Sequence, residues 1–170
     1  MKKIFLSGLF FLSIVSAFAQ TDSPNQPTYL RFPTPPPIRL LLTDSVTYFT
    51  KENLNKKDAI MIMLFNPDCD HCKHETERII DSIDQFKNIQ IIMATFMDFG
   101  LMKGFYEKFD LSKYNNIVVG KDVNHVLVPF YKVTSLPFLA FYNKKHELIS
   151  VFEGSLPVRK ILEEFDKGQN

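Results

Sequence analysis

Tryptophan is absent from this chain of 170 residues, and cysteine occurs only twice, at Cys69 and Cys72. Two cysteines this close exclude a disulfide-reinforced scaffold, because a staple across so short a loop barely constrains the unfolded chain. No charge sign dominates, with 20 Lys plus Arg against 19 Asp plus Glu. There is no basic field for nucleic acid and no acidic block that would keep a tail solvated. The apolar stretch at residues 4–15 is too short to span a bilayer comfortably. No internal repeat and no second-domain boundary interrupt the sequence.

What is present fits one domain with a core. Hydrophobic residues make up 45%, and phenylalanine alone occurs 17 times. That bias predicts a strand-containing core packed with aromatics.

The first residues read as an export signal. Lys2 and Lys3 form a basic start, the apolar stretch follows, and Ala17-Phe18-Ala19 supplies small residues for cleavage after Ala19. The prediction is a signal peptide over 1–19 and an extracytoplasmic, periplasm-like location, with a retained anchor as the alternative. Removing the signal leaves the charge near balance and no stable membrane insertion. Residues 20–37 hold Pro24, Pro27, Pro33, Pro35, Pro36 and Pro37, six of the ten prolines. They read as an extended spacer, with Tyr29, Leu30 and Phe32 available to pack its end on the domain. Residues 38–170 are then the folded domain.

Within it, residues 38–43 and 46–49 predict two short strands around a turn at Asp44-Ser45, followed by a helical turn capped by Thr50. Residues 59–65, AIMIMLF, lack polar alternation and suit a strand buried on both faces. Asn66-Pro67-Asp68 stops that strand, and helical spacing begins at Cys69. Cys72, Ile79, Ile80, Ile83 and Phe86 share a face, and Asp68 is the expected N-cap. Residues 89–96 give another strand, so strand, helix and strand form a parallel βαβ unit. A helix over 99–109, a short strand at 117–119 and a short helix with Pro129 in its first turn follow. Strands at 138–142 and 147–152 make a hairpin, and a final helix over 157–167 turns Val158, Ile161, Leu162 and Phe165 inward.

The two cysteines therefore sit at the start of a helix behind a buried strand. Unpaired N–H groups and the positive end of the helix dipole favour a thiolate at Cys69, and His71 supports it. Asp70 opposes it. Cys72, one turn deeper, is expected to be less exposed. This asymmetry makes Cys69 the attacking sulfur and Cys72 the resolving one.

Strand, Cys69-Asp70-His71-Cys72, helix, strand, then Leu136-Pro137 before a hairpin and a last helix resembles the thioredoxin-like superfamily over residues 38–167. The export signal, the front hairpin and Glu75, three residues after Cys72, resemble its extracytoplasmic TlpA/ResA-like branch. The resemblance implies an α/β thioredoxin-like fold, a central mixed β-sheet flanked by helices with an N-terminal β-hairpin extension. It implies a thiol–disulfide oxidoreductase that needs no cofactor beyond the Cys69/Cys72 pair itself. Its partners would be exported protein thiols or disulfides and a redox partner protein, with a membrane electron donor as one candidate, and no nucleic acid. It also implies a cis bond at Pro137, facing the cysteines, with the Leu136 backbone offering hydrogen bonds to an extended substrate. Glu75 reads either as a proton relay for Cys72 or as a solvated first-turn acid. His74 reads as a surface residue.

The pattern departs from the family in places. Asp68 stands where tryptophan is usual, Met63 where thioredoxin itself has a buried acid, and Asp-His lies between the cysteines without the common proline. The direction of electron flow stays open. Two other functions compete: a Cu/Zn-binding module using Cys69, His71 and Cys72, and a non-catalytic binding domain on a thioredoxin scaffold.

Overall fold

The apolar run at residues 59–65 becomes a strand, β3 (Ala59–Leu64), in which every residue is buried. Its neighbours explain why it tolerates no polar residue. On one side it pairs in parallel with β4 (Ile89–Thr95), and on the other antiparallel with β6 (Phe138–Tyr142). The protein is described by a computed structural model over residues 26–168. The expected signal peptide and the first part of the expected spacer lie outside the described residues.

In chain order the remaining elements are α1 (Thr28–Arg31), β1 (Arg39–Leu42), β2 (Tyr48–Thr50), α2 (Asp70–Asp81), α3 (Phe99–Lys108), β5 (Ile117–Asp122), α4 (Leu127–Tyr131), β7 (Leu148–Glu153) and α5 (Val158–Lys167). The strands form one seven-stranded mixed sheet in the order β2-β1-β5-β4-β3-β6-β7. β3, β4 and β5 run parallel, as a βαβ connection through α2 requires. Among the described residues no helix is long and apolar enough to cross a membrane.

Alternation along β3 splits the core in two. Met61 and Met63 face the layer that holds Cys72, Ile79, Phe105 and Phe165, from α2, α3 and α5. Ile60, Ile62 and Leu64 face the opposite layer, with Leu127, Phe130 and Tyr131 of α4. On that second side the hydroxyls of Tyr131 and Tyr142 meet at 2.6 Å in a buried pair. Burial pushes both phenols up and keeps them neutral.

The front hairpin forms as its turn chemistry predicts. Asp44 Oδ1 accepts from the N–H groups of Val46 and Thr47 at 3.0 and 2.8 Å. Thr50 and Asn53 form a capping box over the single turn Lys51–Asn53. β1 then joins the sheet antiparallel to β5, with Leu42 opposite Gly120. A Cβ at Gly120 would meet Leu40 Cβ at 2.6 Å, so this close strand approach requires glycine. The extra pairing also lengthens β5 beyond the short strand predicted at 117–119.

The spacer boundary needs correction. Part of the 20–37 stretch is packed onto the domain: Pro35 and Pro36 are buried, and the Pro33 carbonyl accepts the Leu148 N–H at 2.8 Å. Tyr29 lies against Tyr131 with ring centroids 6.0 Å apart. Proline lacks an N–H, so burying these residues leaves no backbone donor to satisfy. Composition alone reads such a segment as extended, and it cannot reveal the apolar surface that receives it.

Candidate active site

The turn that follows β3 is built by its own side chains. Asn66 Oδ1 accepts the Asp68 N–H at 2.9 Å, and the Asn66 carbonyl accepts the Cys69 N–H at 3.1 Å. This folds the chain so that Cys69, not the expected Asp68, is the N-cap of α2. Asp68 is exposed and its carboxylate bonds no helix N–H. The cap acceptor is the Cys69 sulfur, which receives the Cys72 N–H at 3.4 Å. An orphan helix donor therefore points at the sulfur expected to attack.

The two sulfurs differ as expected. Both cysteines are free; Cys69 is half-buried and Cys72 is buried. Burial pushes the Cys72 thiol up to about 12, and the neighbouring Cys69 and Glu75 push in the same direction. Cys72 thus holds its proton until something nearby accepts it.

Leu136 and Pro137 close the site from the other side. The bond between them is cis, and the Leu136 carbonyl lies 4.0 Å from Cys69 Sγ. Pro137 is buried and Leu136 half-buried, so the carbonyl edge of Leu136 faces the sulfur. The Pro137 carbonyl accepts the Gly154 N–H at 2.8 Å. Gly154 has φ +97°, a conformation that favours glycine, and it turns the chain from β7 back toward α2.

The same bend reaches the helix. Ser155 Oγ donates to the His71 carbonyl at 3.3 Å, and the Leu156 N–H donates to Glu75 Oε2 at 3.2 Å. Glu75 is completely buried, which overturns the solvated-acid alternative. The sequence placed it in a first turn where acids usually face water. Here the 154–156 bend reaches that face of α2. Arg78 donates to the same Oε2 at 2.5 Å, while Oε1 is buried without a partner among the described residues. Burial pushes the Glu75 carboxyl up, opposed by Arg78 and by the donors from the bend. Glu75 and Cys72 lie three residues apart and so share a helix face.

The remaining motif residues face solvent. Asp70 pairs with Lys73 at 2.9 Å, which holds its carboxyl below the usual range. The His71 side chain is exposed, and His74 contacts Glu77 at 3.0 Å on the surface. Among the described residues no three His, Cys, Asp or Glu side chains come together as a metal-holding group. His71 is exposed while Cys72 is buried beside Cys69, so the three are not gathered into one site.

Sequence reasoning missed Arg78, Ser155 and Leu156. Arg78 was findable as an i,i+3 partner of Glu75. Nothing local marks Ser155 or Leu156, which arrive from 84 and 81 residues away.

No family model and no curated protein matches the chain by sequence. Solved structures do match by shape. A secreted Mycobacterium tuberculosis disulfide oxidoreductase homologous to Escherichia coli DsbE aligns with TM-score 0.63 at 16% identity, over 76% of this chain and 95% of that one. The exposed lipoprotein thioredoxin of Streptococcus pneumoniae aligns with TM-score 0.63 at 18% identity, over 76% and 97%. StoA of Bacillus subtilis aligns with TM-score 0.58 at 16% identity, over 78% and 98%. The fold of this chain is thioredoxin-like.

Proposed function

We propose that this chain is an exported thiol–disulfide oxidoreductase, similar to the TlpA/ResA-like branch, that exchanges disulfides in extracytoplasmic proteins. The observation that carries the reading is the unlike pair of sulfurs. Cys69 is reachable and receives a helix N–H, while Cys72 is buried and protonated behind it. The backbone of Leu136 beside Cys69 offers an extended substrate a place to pair. The solved relatives in shape include a disulfide oxidoreductase and a thioredoxin, which supports the same chemistry here.

In the reducing direction the Cys69 thiolate attacks a substrate disulfide. A Cys69–substrate S–S bond forms, the substrate S–S bond breaks, and one substrate sulfur leaves as thiolate. Cys72 then gives its proton to Glu75 and attacks Cys69 Sγ. The Cys69–Cys72 bond forms and the second substrate sulfur leaves as thiolate, to be protonated by solvent. The pair has lost two electrons and the substrate has gained two. A redox partner protein, with a membrane electron donor as the candidate, returns them. The oxidising direction reverses the same steps. His71 contributes at most a surface charge near the entrance.

Trapping tests the reading. Cys72→Ser should accumulate mixed disulfides with exported proteins through Cys69, and Cys69→Ser should not. If neither variant traps a partner and the wild-type pair fails to exchange with small thiols, the chain is not an oxidoreductase.

A further inference from the structure

The buried carboxylate of Glu75 is divided by its surroundings. Oε2 takes two donors, the Arg78 guanidinium at 2.5 Å and the Leu156 N–H at 3.2 Å. Among the described residues Oε1 has no hydrogen-bond partner although it is buried, with the Ser155 hydroxyl also bearing on the carboxyl. An unpartnered buried oxygen on a carboxylate is costly, and such groups persist where they have a task. The groups facing Glu75 are few. Cys72 and Arg78 come from its own helix, and Ser155 and the Leu156 N–H come from the bend after β7. Cys72 also meets Cys69 and the Asn66 backbone. Arg78 is therefore the only cation in this set.

We propose that Arg78 is a positioning residue that, together with the Leu156 N–H, clamps Glu75 through Oε2 and so reserves Oε1 as the oxygen that takes the proton of Cys72. The inference rests on the oxidoreductase reading and deepens it. When Oε1 accepts the proton, the Cys72 sulfur becomes the thiolate that attacks Cys69 Sγ. The Cys69–Cys72 bond forms as the Cys69–substrate bond breaks, and the electron pair leaves on the substrate sulfur. Arg78 supplies two things to this step. Its Nη2 donor fixes which oxygen is occupied, and its charge opposes the upward push of burial on the carboxyl. Its side chain is 44% exposed, so water screens part of that charge. The bend at 154–156 holds the same Oε2 and, through Gly154, the Pro137 carbonyl, which ties the clamp to the loop beside Cys69.

The test separates the two sulfur steps. Reduced full-length protein is mixed with an aromatic disulfide that releases one coloured thiol when Cys69 attacks and a second when Cys72 resolves. Both rates are followed against pH. Arg78→Gln should leave the first release unchanged and move the pH midpoint of the second upward by about one unit, slowing it about tenfold at pH values below the wild-type midpoint. Arg78→Lys, which keeps the charge and loses the guanidinium, should recover most of that shift. Glu75→Gln should slow the second release and erase its inflection, and Arg78→Gln should add nothing in that background. A midpoint that stays in place in Arg78→Gln, while Glu75→Gln erases it, overturns the clamp and leaves Glu75 as the base. A second release untouched by Glu75→Gln removes the relay and the clamp together. No release in wild-type protein overturns the oxidoreductase itself. Thermal midpoints of each variant are read alongside, and a fall in Tm without a moved pH midpoint counts against the clamp.

Discussion

The sulfur of Cys69 lies 4.0 Å from the carbonyl oxygen of Leu136, 67 residues further along the chain, and accepts the N–H of Cys72 at 3.4 Å. The Cys69 thiol faces that carbonyl on one side and receives a helix N–H on the other, and it stays half-buried while Cys72 is buried.

Alkylation should distinguish the two. When the reduced native protein is treated with iodoacetamide at neutral pH, Cys69 should be modified and Cys72 protected by about tenfold or more, since the thiolate is the reacting form. Peptide mass spectrometry reads the ratio. Equal labelling would contradict the burial of Cys72.

The Glu75 carboxyl should leave a mark on stability against pH. Its folded value is raised above the ordinary 4.5 by burial, so the folded chain holds this proton at pH values where the unfolded chain has released it. Stability from this group is complete below about 4.5 and falls as pH rises through the folded value. Glu75→Gln removes that slope. Urea melts of the oxidised protein at pH 4 and pH 8 should show wild type losing about 1 kcal/mol, relative to the variant, for each unit of upward shift. A wild-type curve parallel to that of the variant would exclude a raised carboxyl.

The hydroxyl pair of Tyr131 and Tyr142 predicts non-additive stability. Either single change to Phe strands one buried hydroxyl and should cost about 1–3 kcal/mol. Changing both removes the pair together and should cost less than the sum of the two, near neutrality. A double-mutant cycle by chemical denaturation checks the sign of the coupling.

Gly120→Ala should loosen the front hairpin. The added Cβ meets Leu40 Cβ at 2.6 Å and the Leu41 carbonyl at 3.1 Å, so β1 must move away from β5. The expected cost is about 1–3 kcal/mol, with amide exchange rising first in β1 and β2. Because this edge of the sheet is remote from Cys69 in strand order, the attack rate of Cys69 should hardly change.

Much of the architecture was legible because it rests on local patterns. The unbroken AIMIML run could only be a strand covered on both faces, and the 138–142 strand was bounded by Pro137 and Asn143 as predicted. Asp44 and Thr50 announced their turns, while the part of Asn53 in the second came only with the structure. The spacing of Cys69 and Cys72 predicted a helix start with unequal exposure of the two sulfurs, as the structure has it. The cap of α2 was one residue off because two hydrogen bonds accepted by Asn66 close the preceding turn, with Asp68 left exposed.

The sequence by itself determined where the two sulfurs stand relative to each other, since strand, turn and helix spacing are short-range consequences of residue type. Only the tertiary structure decided what surrounds them. Leu136, Ser155 and Leu156 reach the helix from distant segments, and the same arrival buries Glu75, an acid that local pattern would leave in water. The docking of Pro35 and Pro36 was decided in the same way, by an apolar surface assembled from other parts of the chain. Burial is a property of the assembled layers and not of any window of residues, which is why the place of the two cysteines could be read early and the surroundings of Glu75 could not.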